Sequence, residues 1–258
     1  MAMKYKLSFI SDEDIYNHVK ETIEKYRFFI NLDRLVKNLL DPVKLTFDSA
    51  IYYGDYSNSS LEKILDNEVW RQIDKSNTNH IGYFHQNIFK YIGGDQWVVP
   101  QQGFDIENPT LGVYVEMKNK HNTMNSSSSS KTYLRMQNKI LNNPQATCML
   151  VEVIAKKSQN IEWVCSVDGE RLSHSSIRRV SLDKFYEFVT GDSEAFAQLC
   201  GILPKVIQDV LNNTQHHIIE NTVLSDIHQK GVENILNEIY LITFKKYQGF
   251  DDFRLLIK

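Results

Sequence analysis

The stretch PQQGFDIENPTLGVYVEMKNKHNTMNSSSSSKTYLRMQNKILN, Pro100 to Asn142, decides how the rest of the chain is read. Phe104-Asp105-Ile106 and Val113 to Lys118 are rich in β-branched and aromatic residues, and Asn108-Pro109-Thr110-Leu111-Gly112 separates them, so the pattern predicts a β-hairpin. Side chains alternate along a strand, which puts Val113, Val115 and Met117 on one face and Glu116 and Lys118 on the other. The hairpin returns Asp105 to that polar face. Two carboxylates and an ammonium converging there can hold a divalent cation through oxygen and keep a positive charge beside an attacking water, as phosphodiester hydrolysis requires. An Asp followed at a distance by Glu-x-Lys also arises on an ordinary solvated strand face, and the surroundings separate the two readings. No acidic residue occurs from Met117 to Val151, whereas Lys118, Lys120, Lys131, Arg135 and Lys139 are basic, in a chain of formal net charge -3. Cations gathered next to a cation-holding site suit a bound polyanion.

Ser126 to Ser130 reads either as a low-complexity linker or as a loop that orders on a phosphate backbone through hydroxyls and amides. His121, Asn122, Asn125, Ser126, Ser127 and Ser128 are accordingly candidate DNA contacts. The spacing then predicts a helix over Lys131 to Asn142, with Tyr133, Leu134, Met136, Gln137, Ile140 and Leu141 inward and Lys131, Arg135, Asn138, Lys139 and Asn142 outward. That outward stripe suits a plain soluble surface. It also has the vocabulary of the major groove, Lys and Arg for guanine and Asn for adenine.

Upstream, Ser11 with Asp12, Glu13 and Asp14 starts a long amphipathic helix, broken near Asn31 and ended by Asp41-Pro42. Val43 to Tyr53 reads as a short strand. Ser59 and Glu62 form a capping box for one helix, and Asn79 caps the next, His80 to Ile92, which Gly93-Gly94 ends. Strands follow at Gln96 to Pro100, Gly103 to Glu107 and Gly112 to Asn119, and after the Lys131 helix at Thr147 to Ile154, with Met149 to Ile154 and Ile161 to Val167 as a second hairpin. From Ser181 the pattern is helical and carries no motif; His216-His217 and His228 read as surface histidines. Cys148, Cys165 and Cys200 lack metal spacing, and the first two read as buried free thiols. No apolar run has membrane length and the amino terminus has too short an apolar core for a signal peptide, so a cytoplasmic location is expected.

The order helix, three strands, helix, strand, with Asp105 entering the second strand and Glu116-Met117-Lys118 on the third, resembles the core of the PD-(D/E)XK nuclease superfamily. Gly103-Phe104 stands where that motif carries Pro before the Asp, and Gln86 stands on the preceding helix where some relatives carry Glu. Gln86 can still orient a water, with Glu62 and Glu68 as possible substitutes. Within the superfamily, YFHQNIF, VPQQGFDIEN and VEMKNKHNTMNSSSSSKTYLRMQ resemble the Eco47II family of type II restriction endonucleases, over about Tyr83 to Val153. The resemblance implies an α/β (α+β) fold with a mixed central sheet flanked by helices, while length and pattern read as one large domain or a domain with a helical extension: a single nuclease domain over 1–258, with a helical region 1–78, a catalytic core 79–167 and a helical region 168–258. It implies Mg²⁺ held by Asp105, Glu116 and the Met117 carbonyl, Lys118 at the attacking water, and a cytoplasmic homodimer cutting double-stranded DNA at GGNCC while a partner methyltransferase protects that site. A repair or structure-specific nuclease with the same core, and a DNA-binding module with a vestigial metal site, are the alternatives.

Overall fold

The computed structural model describes residues 5–38, 41–93, 96–214, 219–229, 231, 233–251 and 253–256. In chain order its elements are α1 (Asp12–Lys25), β1 (Phe29–Ile30), α2 (Leu32–Lys37), α3 (Pro42–Tyr53), α4 (Asn58–Asn87), β2 (Ile106–Asn108), β3 (Val113–Lys120), α5 (Ser126–Asn142) and β4 (Thr147–Ile154). After these come β5 (Asn160–Glu162), β6 (Cys165–Val167), β7 (Glu170–Leu172), β8 (Ile177–Ser181), α6 (Leu182–Thr190), α7 (Ala195–Asn212), β9 (Glu220–Asn221), α8 (Val223–Gln229) and α9 (Ile235–Phe244). The chain divides into two compact units, one of residues 1–25 and 80–215, the other of 26–79 and 216–258.

The first unit is built on a five-stranded mixed sheet in the order β2-β3-β4-β8-β5. β2 and β3 form the expected hairpin, with Ile106 opposite Val115, while β3, β4 and β8 run parallel. Both sheet faces are covered, which is why β3 and β4 are apolar almost throughout. Val113, Val115, Met117, Met149 and Val151 pack with residues of α1, α6, α7 and the end of α4. Tyr114, Cys148 and Leu150 pack on the other side with Tyr133, Met136 and Ile140 of α5 and with β6. This is the mixed α/β sheet flanked by helices that the sequence led us to expect. Cys148 and Cys165 are buried free thiols, and burial pushes the Cys148 thiol up to about 12.

Several local expectations give way. Ser126 to Ser130 are the first turns of α5 rather than a linker: Asn125 caps the helix by accepting from the Ser128 N–H, and Ser130 Oγ donates back to the Ser126 carbonyl. Local bonds of this kind let serine begin a helix despite a composition typical of loops. Leu134 and Leu141, expected inward, are exposed on α5. The second hairpin does not form, because β8 lies between β4 and β5 and pairs with both. Gln96 to Pro100 contributes only the bridge of Val98 to Glu107.

The second unit packs α2, α3, the front of α4, α8 and α9 around Leu35, Leu45, Leu65, Val69, Leu236 and Ile239. The break near Asn31 is present, since the Asn31 side chain caps α2 through the Arg34 N–H, although α1 has already ended at Lys25. Val43 to Tyr53 is a helix, not a strand: Asp41 caps the Val43 N–H, Pro42 sits in the first turn, and Gly54 closes it at φ 75. Its aromatic and β-branched residues, Phe47, Ile51 and Tyr52, lie on the exposed face and take no part in a sheet. Asn79 caps nothing. It lies on the surface within the single 30-residue α4, where Asn costs only tenths of a kcal/mol relative to better helix formers, on the order of 0.7 at most. Ser57, rather than Ser59, caps that helix at the Ser60 N–H. His228 bonds Glu62, and His216 and His217 lie outside the described residues.

Candidate active site

Asp105 sits one residue before β2, opposite Glu116 in the register set by Ile106 and Val115. Gly103, at φ 108, makes the turn that brings this segment to the edge of β3; a residue with a Cβ would be strained there. Asp105 Oδ2 accepts from the Met117 N–H at 2.7 Å. Burial, and then the charge of Glu116, push the Asp105 carboxyl above its ordinary value, against the Met117 N–H and the cations of Lys118 and Arg135. Glu116 is 8% exposed. Lys118 Nζ donates to its Oε1 at 2.7 Å, and Arg135 Nη2 donates to its Oε2. The structure therefore brings Asp105, Glu116 and Lys118 together, and it adds Arg135.

That last contact departs from the outward stripe. The Arg135 guanidinium bonds Glu116, donates to the Gly103 carbonyl at 3.2 Å and stacks 4.7 Å over the Phe104 ring. Lys139 is likewise turned, its Nζ 3.9 Å over Tyr114. Lys131 and Asn138 stay exposed, and with Glu116, Lys118, Arg135 and Met124 they line an open groove of about 890 Å³. Ser128 lines the same groove, while Lys120, Asn122, Ser126 and Ser127 are exposed nearby in sequence and Asn125 is occupied as the α5 cap. His121 is tied in by its backbone: its N–H donates to the Ile154 carbonyl and its own carbonyl accepts from Arg179.

Gln86 is half-buried near the end of α4, where Phe84 and, just past the helix, Ile88 join the cluster on the sheet face opposite Glu116. Glu62 bonds His228, and Glu68 bonds Arg71 and Gln72, all within the second unit. Sequence reading missed Glu152. It lies across from Lys118 on β4, is 1% exposed, and takes Arg179 Nε on Oε1 at 2.9 Å while Oε2 is buried without a partner. A lone acid in the otherwise apolar TCMLVEVI was the available signal, since buried carboxylates are rare unless paired.

Among the described residues no three of His, Cys, Asp and Glu cluster. The donor set is thus two carboxylates and backbone oxygen. A strand residue presents its N–H and C=O to the same edge, so the Met117 carbonyl faces the side on which its N–H meets Asp105. Hard oxygen donors of that number fit Mg²⁺, which is commonly bound through one or two carboxylates and keeps several waters. Burial raises Asp105 most, and the repulsion from Glu116 that adds to it is what a cation between the two acids would relieve.

Comparison with known proteins extends the resemblance well beyond this site. The chain is 33% identical over 220 residues to the type II restriction enzyme Sau96I of Staphylococcus aureus, covering 81% of this chain and 82% of that protein. It is 26% identical over 219 residues to the type II restriction enzyme Eco47II of Escherichia coli, covering 80% and 88%. The model of the Eco47II restriction endonuclease family matches residues 7–212, which takes in every residue of the Asp105, Glu116, Lys118 and Arg135 cluster. With most of its length matched, and with acids and cations converging at the edge of a mixed sheet, the chain belongs to the Eco47II restriction endonuclease family.

Proposed function

We propose that this enzyme is a Mg²⁺-dependent homodimer of the cytoplasm that cuts both strands of DNA at GGNCC, leaving 5′-phosphate and 3′-hydroxyl ends, with a methyltransferase protecting the same site. The observation that carries the reading is the convergence of Asp105, Glu116 and Lys118 beside a groove lined by the cations of α5. Asp105, Glu116 and the Met117 carbonyl would hold Mg²⁺, which when bound supplies Lewis-acid stabilisation of charge developing on phosphate oxygen. Lys118, placed by Glu116, keeps its ammonium where it can orient the attacking water and meet charge on the phosphate. Lys120, Lys131, Lys139, His121, Asn122, Asn125, Asn138 and Ser126 to Ser128 would contact the duplex, the cations mainly at phosphate. The matching family is named for restriction endonucleases, and no helix among the described residues is long and apolar enough to cross a membrane.

A palindromic site is read most simply by two-fold-related copies of one surface, with the central pair near the axis and free of base contact. The test is cleavage, with Mg²⁺, of duplexes carrying each of the four central pairs and one with an outer G·C pair changed. Equal cutting of the first four and none of the fifth supports the assignment. Cutting of all five, or discrimination among central pairs, overturns it.

A further inference from the structure

Both oxygens of Glu116 meet a cation: Oε1 accepts from Lys118 and Oε2 from Arg135. A divalent cation that takes Glu116 as a ligand must share its oxygens with these two positive charges or displace one of them, and the two are held differently. Lys118 lies two residues along the same strand and its side chain is 30% exposed. Arg135 comes from α5, a separate element that also lines the groove, and its side chain is 42% exposed. It reaches the site along Phe104 and is steadied by the Gly103 carbonyl. Its planar fork can meet the two oxygens of a phosphate as readily as those of a carboxylate.

We infer that Arg135 couples DNA binding to cation binding. In the free protein its guanidinium sits on Glu116 and holds divalent cations off. A phosphate entering the groove competes for that guanidinium, frees Oε2, and so raises the affinity of the site for the cation. This rests on the reading of Asp105 and Glu116 as cation ligands, and it adds a reason for the site to stay poorly loaded until DNA is present. Linkage is reciprocal: the factor by which DNA tightens cation binding is the factor by which the cation tightens DNA binding. Removing a groove-lining side chain ordinarily leaves cation affinity alone or weakens it. Here removal takes a unit positive charge away from a ligand carboxylate, and the expected change has the opposite sign.

The test is a calorimetric titration of Ca²⁺, another cation with oxygen ligands, into the free protein and into its complex with a GGNCC duplex. Four variants are compared with the wild type: Arg135→Gln, Arg135→Lys, Asp105→Asn and Glu116→Gln. Free Arg135→Gln is expected to bind Ca²⁺ at least about tenfold more tightly than the wild type, well within what a contact charge can supply. DNA should tighten Ca²⁺ binding to the wild type about tenfold and to Arg135→Gln hardly at all, with Arg135→Lys keeping both the weak free affinity and the coupling. If free Arg135→Gln binds Ca²⁺ no better than the wild type, or if DNA tightens binding to it as much as to the wild type, the inference fails. Asp105→Asn and Glu116→Gln separate the two readings: loss of Ca²⁺ binding in both leaves the cation site standing whatever Arg135 does, and wild-type binding in both overturns the site and the coupling together.

Discussion

Replacing Asp105 with Asn should make the protein slightly more stable and nearly inactive, and the two effects have one structural origin. Asn keeps the shape and can still accept the Met117 N–H through its carbonyl oxygen. What it removes is a charge that the fold disfavours, since burial and Glu116 outweigh the Met117 N–H, Lys118 and Arg135 and raise the carboxyl above its ordinary value. A raised value means that the folded state favours the protonated form, whose contribution to stability is present at low pH and lost as pH rises through the raised value. At neutral pH the ionised group therefore works against folding, and an uncharged isostere should gain about 0.5–1 kcal/mol, the usual size of such trade-offs at functional sites. Cleavage should fall in the opposite sense. Loss of one of two carboxylate ligands is expected to slow the chemical step roughly a thousandfold, or about 4 kcal/mol in the barrier. Urea unfolding in chelator at neutral pH reads the first effect, and single-turnover cleavage of a GGNCC duplex with Mg²⁺ reads the second. A loss of stability of more than about 1 kcal/mol would make the Asp105 charge a structural requirement. Cleavage within about tenfold of the wild type would remove it from the ligand set.

Two further predictions concern binding and folding. Lys120→Ala and Lys131→Ala should each lower the slope of log DNA affinity against log salt by about one, and Lys139→Ala by less because its ammonium is already engaged over Tyr114; an unchanged slope for Lys120→Ala and Lys131→Ala together would move the DNA surface elsewhere. Stability should also fall in acid. Burial, with a smaller contribution from neighbouring His18, lowers His85 from 6.5 to about 4, and its Nδ1 is buried without a partner. Above pH 6.5 the ring is neutral in both states; below it the unfolded chain takes a proton that the folded ring refuses, so stability declines toward about pH 4 at up to about 1.4 kcal/mol per unit. Unfolding curves at stepped pH should show a shallower decline for His85→Leu, and an identical acid limb would refute the assignment.

What could be read from the chain follows the range of the interaction involved. The β2–β3 hairpin and the meeting of Asp105 with Glu116 and Lys118 depend on strand alternation and one turn, both local, and all are visible in Phe104 to Lys118. The Ser126 to Ser130 run misled because composition reports what serines usually do, whereas the Asn125 cap and the Ser130 back-bond decide what these serines do. Val43 to Tyr53 misled in the same way, its bulky residues suggesting a strand while Asp41, Pro42 and Gly54 mark the two ends of a helix. Other features were out of reach. Insertion of β8 between β4 and β5 depends on tertiary pairing of the short segment Ile177–Ser181. Arg135 looks like any surface arginine until α5 is docked against β3 and its guanidinium meets Glu116.

The two carboxylates belong to strands of very different anchorage. Glu116 lies within the eight-residue β3, paired on both sides, whereas Asp105 precedes a three-residue strand at the edge of the sheet. Among the described residues, β2 pairs with β3 and, through Glu107, with the Val98 bridge. Ile106 and Asn108 are nonetheless fully buried and Phe104 nearly so, so separating Asp105 from Glu116 at this edge would expose core side chains. The free energy of closing that edge is then part of the apparent affinity of the pair for any cation. A substitution in the hairpin turn at Pro109 to Gly112 that loosens this edge should therefore weaken cation binding without altering either carboxylate.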